Sequence, residues 1–171
     1  SVRRSTGGHS LIHGTSFSNW YYYLDPSAVV KRYVSEIGSA WVQALCSNEE
    51  NTLIMAEITL AEVASAFARA ARDDRISDEE RLSYLDLFIG DCAERYRLVA
   101  IERTIIDRAV DLTQVHYLRG YDAVHLATAL AVNAELLREQ LPPLTFVAAD
   151  EDLLKAAEAE GLPIEKPNLY P

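Results

Sequence analysis

The chain reads as an α/β protein, a three-layer sandwich in which a mainly parallel central sheet of about five strands is flanked by helices. Short apolar or aromatic runs of strand length alternate along the sequence with longer stretches whose apolar residues recur at helical spacing. Each strand candidate is followed by a helix and not by a two-residue turn, so the strands must be joined by right-handed crossovers and lie parallel, with helices on both faces. At 171 residues and 49% hydrophobic composition, the chain can bury one full core and is short for two.

The elements follow in order. Residues 1–20, rich in Ser, Gly and His without periodicity, are read as a flexible tail, native or added, which leaves 21–171 as a single domain. YYYL at 21–24 is the first strand and ends at Asp25; PSAVVKRYVSE continues as a helix with proline in its first turn. TLIM at 52–55 is the second strand, and in the helix TLAEVASAFARAARDD an apolar stripe runs through Leu60, Val63, Ala64, Phe67 and Ala71. SDEERLSYLDLFIGDCAERY opens on a capping-box pattern, Ser77 to Glu80, with Leu82, Leu85 and Ile89 on one face. RLVAI at 97–101 is the third strand, and a helix starts at Thr104. Asp122 then opens an alanine-rich helix, with Leu126, Ala127, Leu130 and Ala131 on one face, that Pro142 and Pro143 bring to an end. LTFVA is a buried strand with Asp150 at its exit; EDLLKAAEAEG is a helix closed by Gly161, and PIEK a short last strand.

Composition narrows the function. A net charge of −10 argues against a nucleic-acid coat protein, whose basic surface would bind by releasing counterions, but leaves room for an enzyme with local basic patches. No run reaches the ~18 apolar residues of a membrane span, and the opening segment lacks the apolar core of a secretory signal. Cys46 and Cys92 stand far apart with no Cys-x-x-Cys spacing, which indicates neither zinc nor disulfides. A cytoplasmic location without membrane contact is expected.

Ligand sites of open parallel sheets lie beyond the carboxyl ends of the strands. Four acids fall there: Asp25 leaves the first strand, Glu62 sits in the first turn after the second, Asp122 opens the alanine-rich helix, and Asp150 leaves LTFVA. Each has a structural reading, since Asp25, Asp122 and Asp150 can cap helices and Thr59-x-x-Glu62 fits a capping box. Their joint placement is harder to explain that way. Carboxylates gathered on one rim repel by about 4 kcal/mol per pair at ~4 Å and an effective dielectric of ~20, so a cation belongs among them. Carboxylates with water favour Mg2+ or Mn2+ over zinc, and such an ion activates water for attack on a phosphodiester. A metal-dependent nuclease is the leading reading.

Other residues compete for attention. Glu57 could also lie beyond the second strand; His125 shares a helical side with Asp122; Lys31, Arg32 and Arg119 could each meet a phosphate or simply decorate the surface. Tyr21, Tyr22 and Tyr23 suggest base stacking less than core packing, because a strand buries at least one of three successive rings.

YYLDPSAVVKRY, ITLAEVASAF, YDAVHLATAL and TFVAADEDLLKAAEAEGL together resemble the PIN-domain family, more narrowly the VapC-type toxins of prokaryotic toxin–antitoxin pairs, over residues 21–171. The resemblance implies a ribonuclease whose acidic rim binds Mg2+ or Mn2+, which pairs with an antitoxin protein and forms a homodimer. It assigns Asp25, Glu62, Asp122 and Asp150 as metal ligands and water activators, adds Asp152 as a further acid, and has Ser27 hold a carboxylate or water. It departs at Ala148, where many relatives carry Ser or Thr, and that puts fine positioning in question. A haloacid-dehalogenase-type phosphatase would need an acid where Ser27 stands, and the acid pair and lysine of a phospho-acceptor receiver are not evident. A DNA nuclease and a catalytically silent binding module with this fold remain open alternatives.

Overall fold

The computed structural model describes residues 20–171. β1 (Trp20–Leu24) leads through α1 (Pro26–Tyr33) and α2 (Ser39–Ser47) to β2 (Asn51–Ala56), then α3 (Thr59–Arg72), α4 (Asp78–Glu94) and β3 (Tyr96–Val99). α5 (Arg103–Val115) and α6 (Gly120–Arg138) precede β4 (Leu144–Val147), and α7 (Glu151–Ala159) precedes β5 (Ile164–Glu165). The expected tail lies outside the described residues except for Trp20, which opens β1.

All strand pairings are parallel, in the order β3-β2-β1-β4-β5. The chain builds outward from β1 to β2 and β3, then returns to the other side of β1 for β4 and β5. Right-handed crossovers running in opposite directions along a sheet cover opposite faces, so α1–α4 pack on one face and α5–α7 on the other. Strand alternation feeds both cores: Tyr21, Tyr23, Ile54, Ala56, Leu144 and Phe146 point to one, Leu24, Leu53, Met55 and Val147 to the other. The reversal of strand order between β1 and β4 is the topological switch point where such sheets open a crevice.

Three expectations need correction. α2 was not foreseen; it starts from Gly38, whose φ of +88° suits glycine and whose place a Cβ would contest with the Pro167 carbonyl oxygen at 2.5 Å. α4 is capped as expected, with Ser77 and Glu80 bonding each other's backbone N–H, but it buries Phe88 and Cys92 and exposes Leu82 and Ile89. Phe88 wins because its ring meets Phe67, Tyr33 and Tyr96 in one aromatic cluster. Asp122 is in the third position of α6, not before it, and its carboxylate reaches back only loosely to the Arg119 N–H, at 3.4 Å.

Cys46 and Cys92 are free and buried, and burial pushes both thiols up to about 11, which keeps them protonated and unreactive. Among the described residues, no helix is long and apolar enough to cross a membrane.

Candidate metal centre

A cleft of about 610 Å³ opens at the carboxyl edge of the sheet, and Asp25, Glu62, Asp122 and Asp150 all line it. Asp25 is its buried floor. The Asp25 N–H donates to the Val147 carbonyl at 2.9 Å, extending the β1–β4 pairing by one step and setting the acid at the switch point. Its Oδ2 accepts from the Ser27 N–H at 3.0 Å and from the Ser27 hydroxyl at 2.5 Å, which fixes the side chain as the N-cap of α1. The same hydroxyl accepts the Ala149 N–H at 3.0 Å, so Ser27 ties the β1 exit to the β4 exit across the crevice. Ala148, the departure from the family pattern, is buried in the core, and its N–H donates to the Glu165 carbonyl at 3.3 Å. Ser27 does the holding at this turn.

Asp150 caps α7 through Oδ1, which accepts the Leu153 N–H at 2.9 Å, and stands exposed on the lip of the cleft. Capping and cleft lining coincide in Asp25 and Asp150. Glu62 behaves differently. No side chain caps α3, whose N-cap residue is Ile58, and the Thr59 hydroxyl is buried with no partner among the described residues, so the Thr59–Glu62 capping box does not form. The Glu62 carboxylate instead meets His125 Nε2 at 2.5 Å. Glu57 lies outside the cleft lining; it is exposed, and it accepts the Ile101 N–H at 3.3 Å. Asp152 is exposed on α7 and does not line the cleft.

The acids sense one another. Burial raises the Asp25 carboxyl above its ordinary 3.8, with the charge of Asp122 adding to it, against lowering by His125 and the Ser27 hydrogen bonds. Burial also raises Asp122, with Asp150 adding to it, against lowering by the Arg119 N–H, the Arg119 charge and His125. His125 shifts up from 6.5: burial pulls it down, but the Glu62 hydrogen bond and the charges of Asp25, Glu62 and Asp122 overcome that. A site holding excess negative charge in poor solvent is the setting in which a cation binds.

The donor set fits a hard, hydrated divalent ion. Each of the four carboxylates spends one oxygen on the protein and leaves the other without a hydrogen-bond partner among the described residues. Among the described residues no three acid, His or Cys side chains already form a metal cage. Carboxylate oxygens are the donors that hard divalent cations take.

Cations occupy the rim. Arg119 lines the cleft beside Asp122, and Arg69, two turns beyond Glu62 on α3, lines it as well. Arg69 belongs to the arginine-rich run ARAARDDR, which the sequence offers either as a phosphate-binding cluster or as a solvated helix face. Lys31 and Arg32 are engaged elsewhere: Lys31 is buried against Glu36 and the Ile37 carbonyl, and Arg32 pairs with Asp91.

A family model described as PIN domain matches residues 22–159. Two proteins of Mycobacterium tuberculosis strains named Ribonuclease VapC45 and Ribonuclease VapC49 are each 34% identical over 149 residues, covering 87% of this chain and 97% of theirs. PAE2754 from Pyrobaculum aerophilum shares the fold with a TM-score of 0.62 at 17% identity, covering 91% of this chain and 90% of that one. A toxin–antitoxin complex from Klebsiella pneumoniae contains a chain that aligns with a TM-score of 0.50 at 18% identity, over 85% of this chain and 97% of that one.

Proposed function

The chain belongs to the PIN-domain family, in its VapC group, and from that premise we propose that it is a divalent-metal-dependent endoribonuclease, the toxin of a toxin–antitoxin pair, acting through the four-acid cleft. The observation that carries the reading is the convergence of Asp25, Glu62, Asp122 and Asp150 on one cleft at the sheet's switch point. Its support is the 34% identity to named ribonucleases along 87% of the chain.

Asp25, Glu62, Asp122 and Asp150 would hold Mg2+ or Mn2+. When bound, such an ion activates a water and stabilises the charge that develops on a phosphodiester under in-line attack. The chain's own residues provide the geometry. Ser27 locks Asp25 and the β4 exit together, and the first turn of α7 fixes Asp150. Arg69 and Arg119 flank the acids and admit a polyanion that the acids alone would repel. Tyr121, exposed on the same rim, offers a face on which an unpaired base can stack.

Matched ribo- and deoxyribo-oligonucleotides incubated with Mn2+ test the substrate class. Cleavage of the ribo strand alone is expected; equal cleavage of the deoxyribo strand would make the protein a general nuclease, and metal binding without cleavage of any strand would favour a silent binding module. Arg119→Ala and Arg69→Ala are each expected to raise KM for single-stranded RNA and to flatten the slope of log affinity against log salt by roughly 0.7. Unchanged slopes in both would remove the arginines from the RNA path.

The cleft's charge also suits an arginine from an antitoxin segment, which would pair with the acids and exclude metal and substrate. A homodimer fits the exposed apolar patch of Ile106 and Val110 on α5. Co-expression with the adjacent reading frame's product, followed by light scattering, is expected to give a complex larger than one copy of each. A lone monomer with no small companion would contradict both partner readings.

A further inference from the structure

His125 is 1% exposed, on the face of α6 turned to the sheet, yet it is neither an apolar filler nor a cleft-lining residue. Beneath it lies Tyr23, fully enclosed on the central strand and stacked on Phe146 with centroids 5.3 Å apart and planes 5° from parallel. The Tyr23 hydroxyl accepts the Ala56 N–H at 3.2 Å and stands 2.7 Å from His125 Nδ1. At the other side of the ring, Nε2 stands 2.5 Å from Glu62 Oε2. A carboxylate can only accept, so Nε2 carries the proton that Glu62 receives; in the neutral ring Nδ1 is then an acceptor and takes the Tyr23 proton. With the ring neutral, hydrogen bonds run in one direction, from the Ala56 backbone through Tyr23 and His125 to Glu62.

Tyr23 and Ala56 belong to neighbouring strands β1 and β2, and Glu62 stands on α3, so the path couples two interior strands of the sheet to one acid of the cleft. Glu62 needs such a hold more than its companions. Asp25 and Asp150 are short side chains fixed by helix-cap bonds, whereas a glutamate in a helical first turn has three side-chain torsions and no cap bond here.

We propose that His125, locked by Tyr23, is a positioning residue that aims the Glu62 carboxylate into the cleft, turning Oε2 to the protein and leaving Oε1 for the ion. The inference rests on the metal-nuclease reading above. Partners of this kind typically contribute 10- to 100-fold to metal affinity or activity through the ligand they orient.

The test measures Mn2+ affinity by calorimetry and the thermal midpoint of the metal-free protein for wild type, His125→Leu, His125→Gln and Tyr23→Phe, with kcat and KM on RNA at saturating Mn2+. His125→Leu is expected to weaken Mn2+ roughly 10- to 100-fold at temperatures well below its midpoint, and to lower kcat with KM for RNA little changed. His125→Gln, which can still offer an N–H to Glu62, recovers part of both losses, and Tyr23→Phe weakens Mn2+ while sparing the ring. A purely structural histidine would move only the midpoint. A folded His125→Leu variant whose Mn2+ affinity stays within about twofold of wild type overturns the proposal. Should that variant not fold, wild-type affinity in both His125→Gln and Tyr23→Phe overturns it equally. Wild type that binds no Mn2+ would instead bring down the metal reading beneath it, a result distinct from the other two.

Discussion

Asp122→Asn is expected to abolish RNA cleavage, by at least about 10²-fold since a direct ligand should matter more than a ligand's support, while leaving the metal-free protein at least as heat-stable as wild type. The two effects have one cause. Burial and the neighbouring Asp150 charge raise the Asp122 carboxyl, which means that its ionised form is disfavoured in the folded protein. Asparagine removes that charge and keeps an oxygen that can accept the Arg119 N–H. Asp25→Asn should behave alike, because an amide oxygen can still accept from Ser27. Ordinary destabilising mutations lose activity through loss of fold; these lose activity with the fold intact or improved. Thermal melts and a cleavage assay on the same preparations check it, and a folded, fully active Asp122→Asn protein would remove Asp122 from the chemistry.

Divalent cation should raise the thermal midpoint, and by more at higher pH. Asp25, Asp122 and His125 all hold a proton more tightly in the folded state than their ordinary values of 3.8, 3.8 and 6.5 imply. A raised folded pKa contributes stability that is fully present below the unfolded value and is lost as pH rises through the folded one. The metal-free protein therefore loses the two aspartate contributions as pH climbs above 4 and the histidine contribution as it passes above 6.5. A bound cation favours the ionised carboxylates and offsets the aspartate losses. At a cation concentration of 100 times Kd, mass action adds about 2.7 kcal/mol, or roughly 5–10 °C for a domain of this size. Melts with Mg2+ or Mn2+ against chelator at pH 5 and pH 8 measure it. A shift no larger at pH 8 than at pH 5 would contradict the assignment of buried acids as ligands.

The strands and most helices were legible because their signals are local: β-rich runs bounded by acids and prolines, and apolar residues at helical spacing. What local signals cannot supply is orientation. In α4 the stripe through Leu82 and Ile89 and the one through Phe88 and Cys92 are both apolar, and only the aromatic cluster waiting across the interface decides between them. α2 was missed because it is short and starts from a left-handed glycine whose necessity comes from Pro167, far along the chain. Asp25 and Asp150 were legible as strand-exit residues and Glu62 and Asp122 as acids in the first turns of helices, since their place follows from topology. The roles of the neighbouring cations were not, because Lys31 and Arg32 are claimed by Glu36 and Asp91 while Arg69 reaches the cleft by helical periodicity. His125 was visible as a neighbour of Asp122, but its bond to Glu62 and its lock by Tyr23 join residues 63 and 102 positions away.

Whether the four acids form a metal-dependent ribonuclease centre is decided by stripping the purified protein with chelator, confirming that no inhibitor has co-purified, and assaying a mixed RNA pool before and after Mn2+ or Mg2+ is restored. No cleavage is expected after stripping, with recovery on adding either ion and no recovery in Asp25→Asn. Cleavage that persists in excess chelator, or that Asp25→Asn retains, would contradict the metal-centre reading.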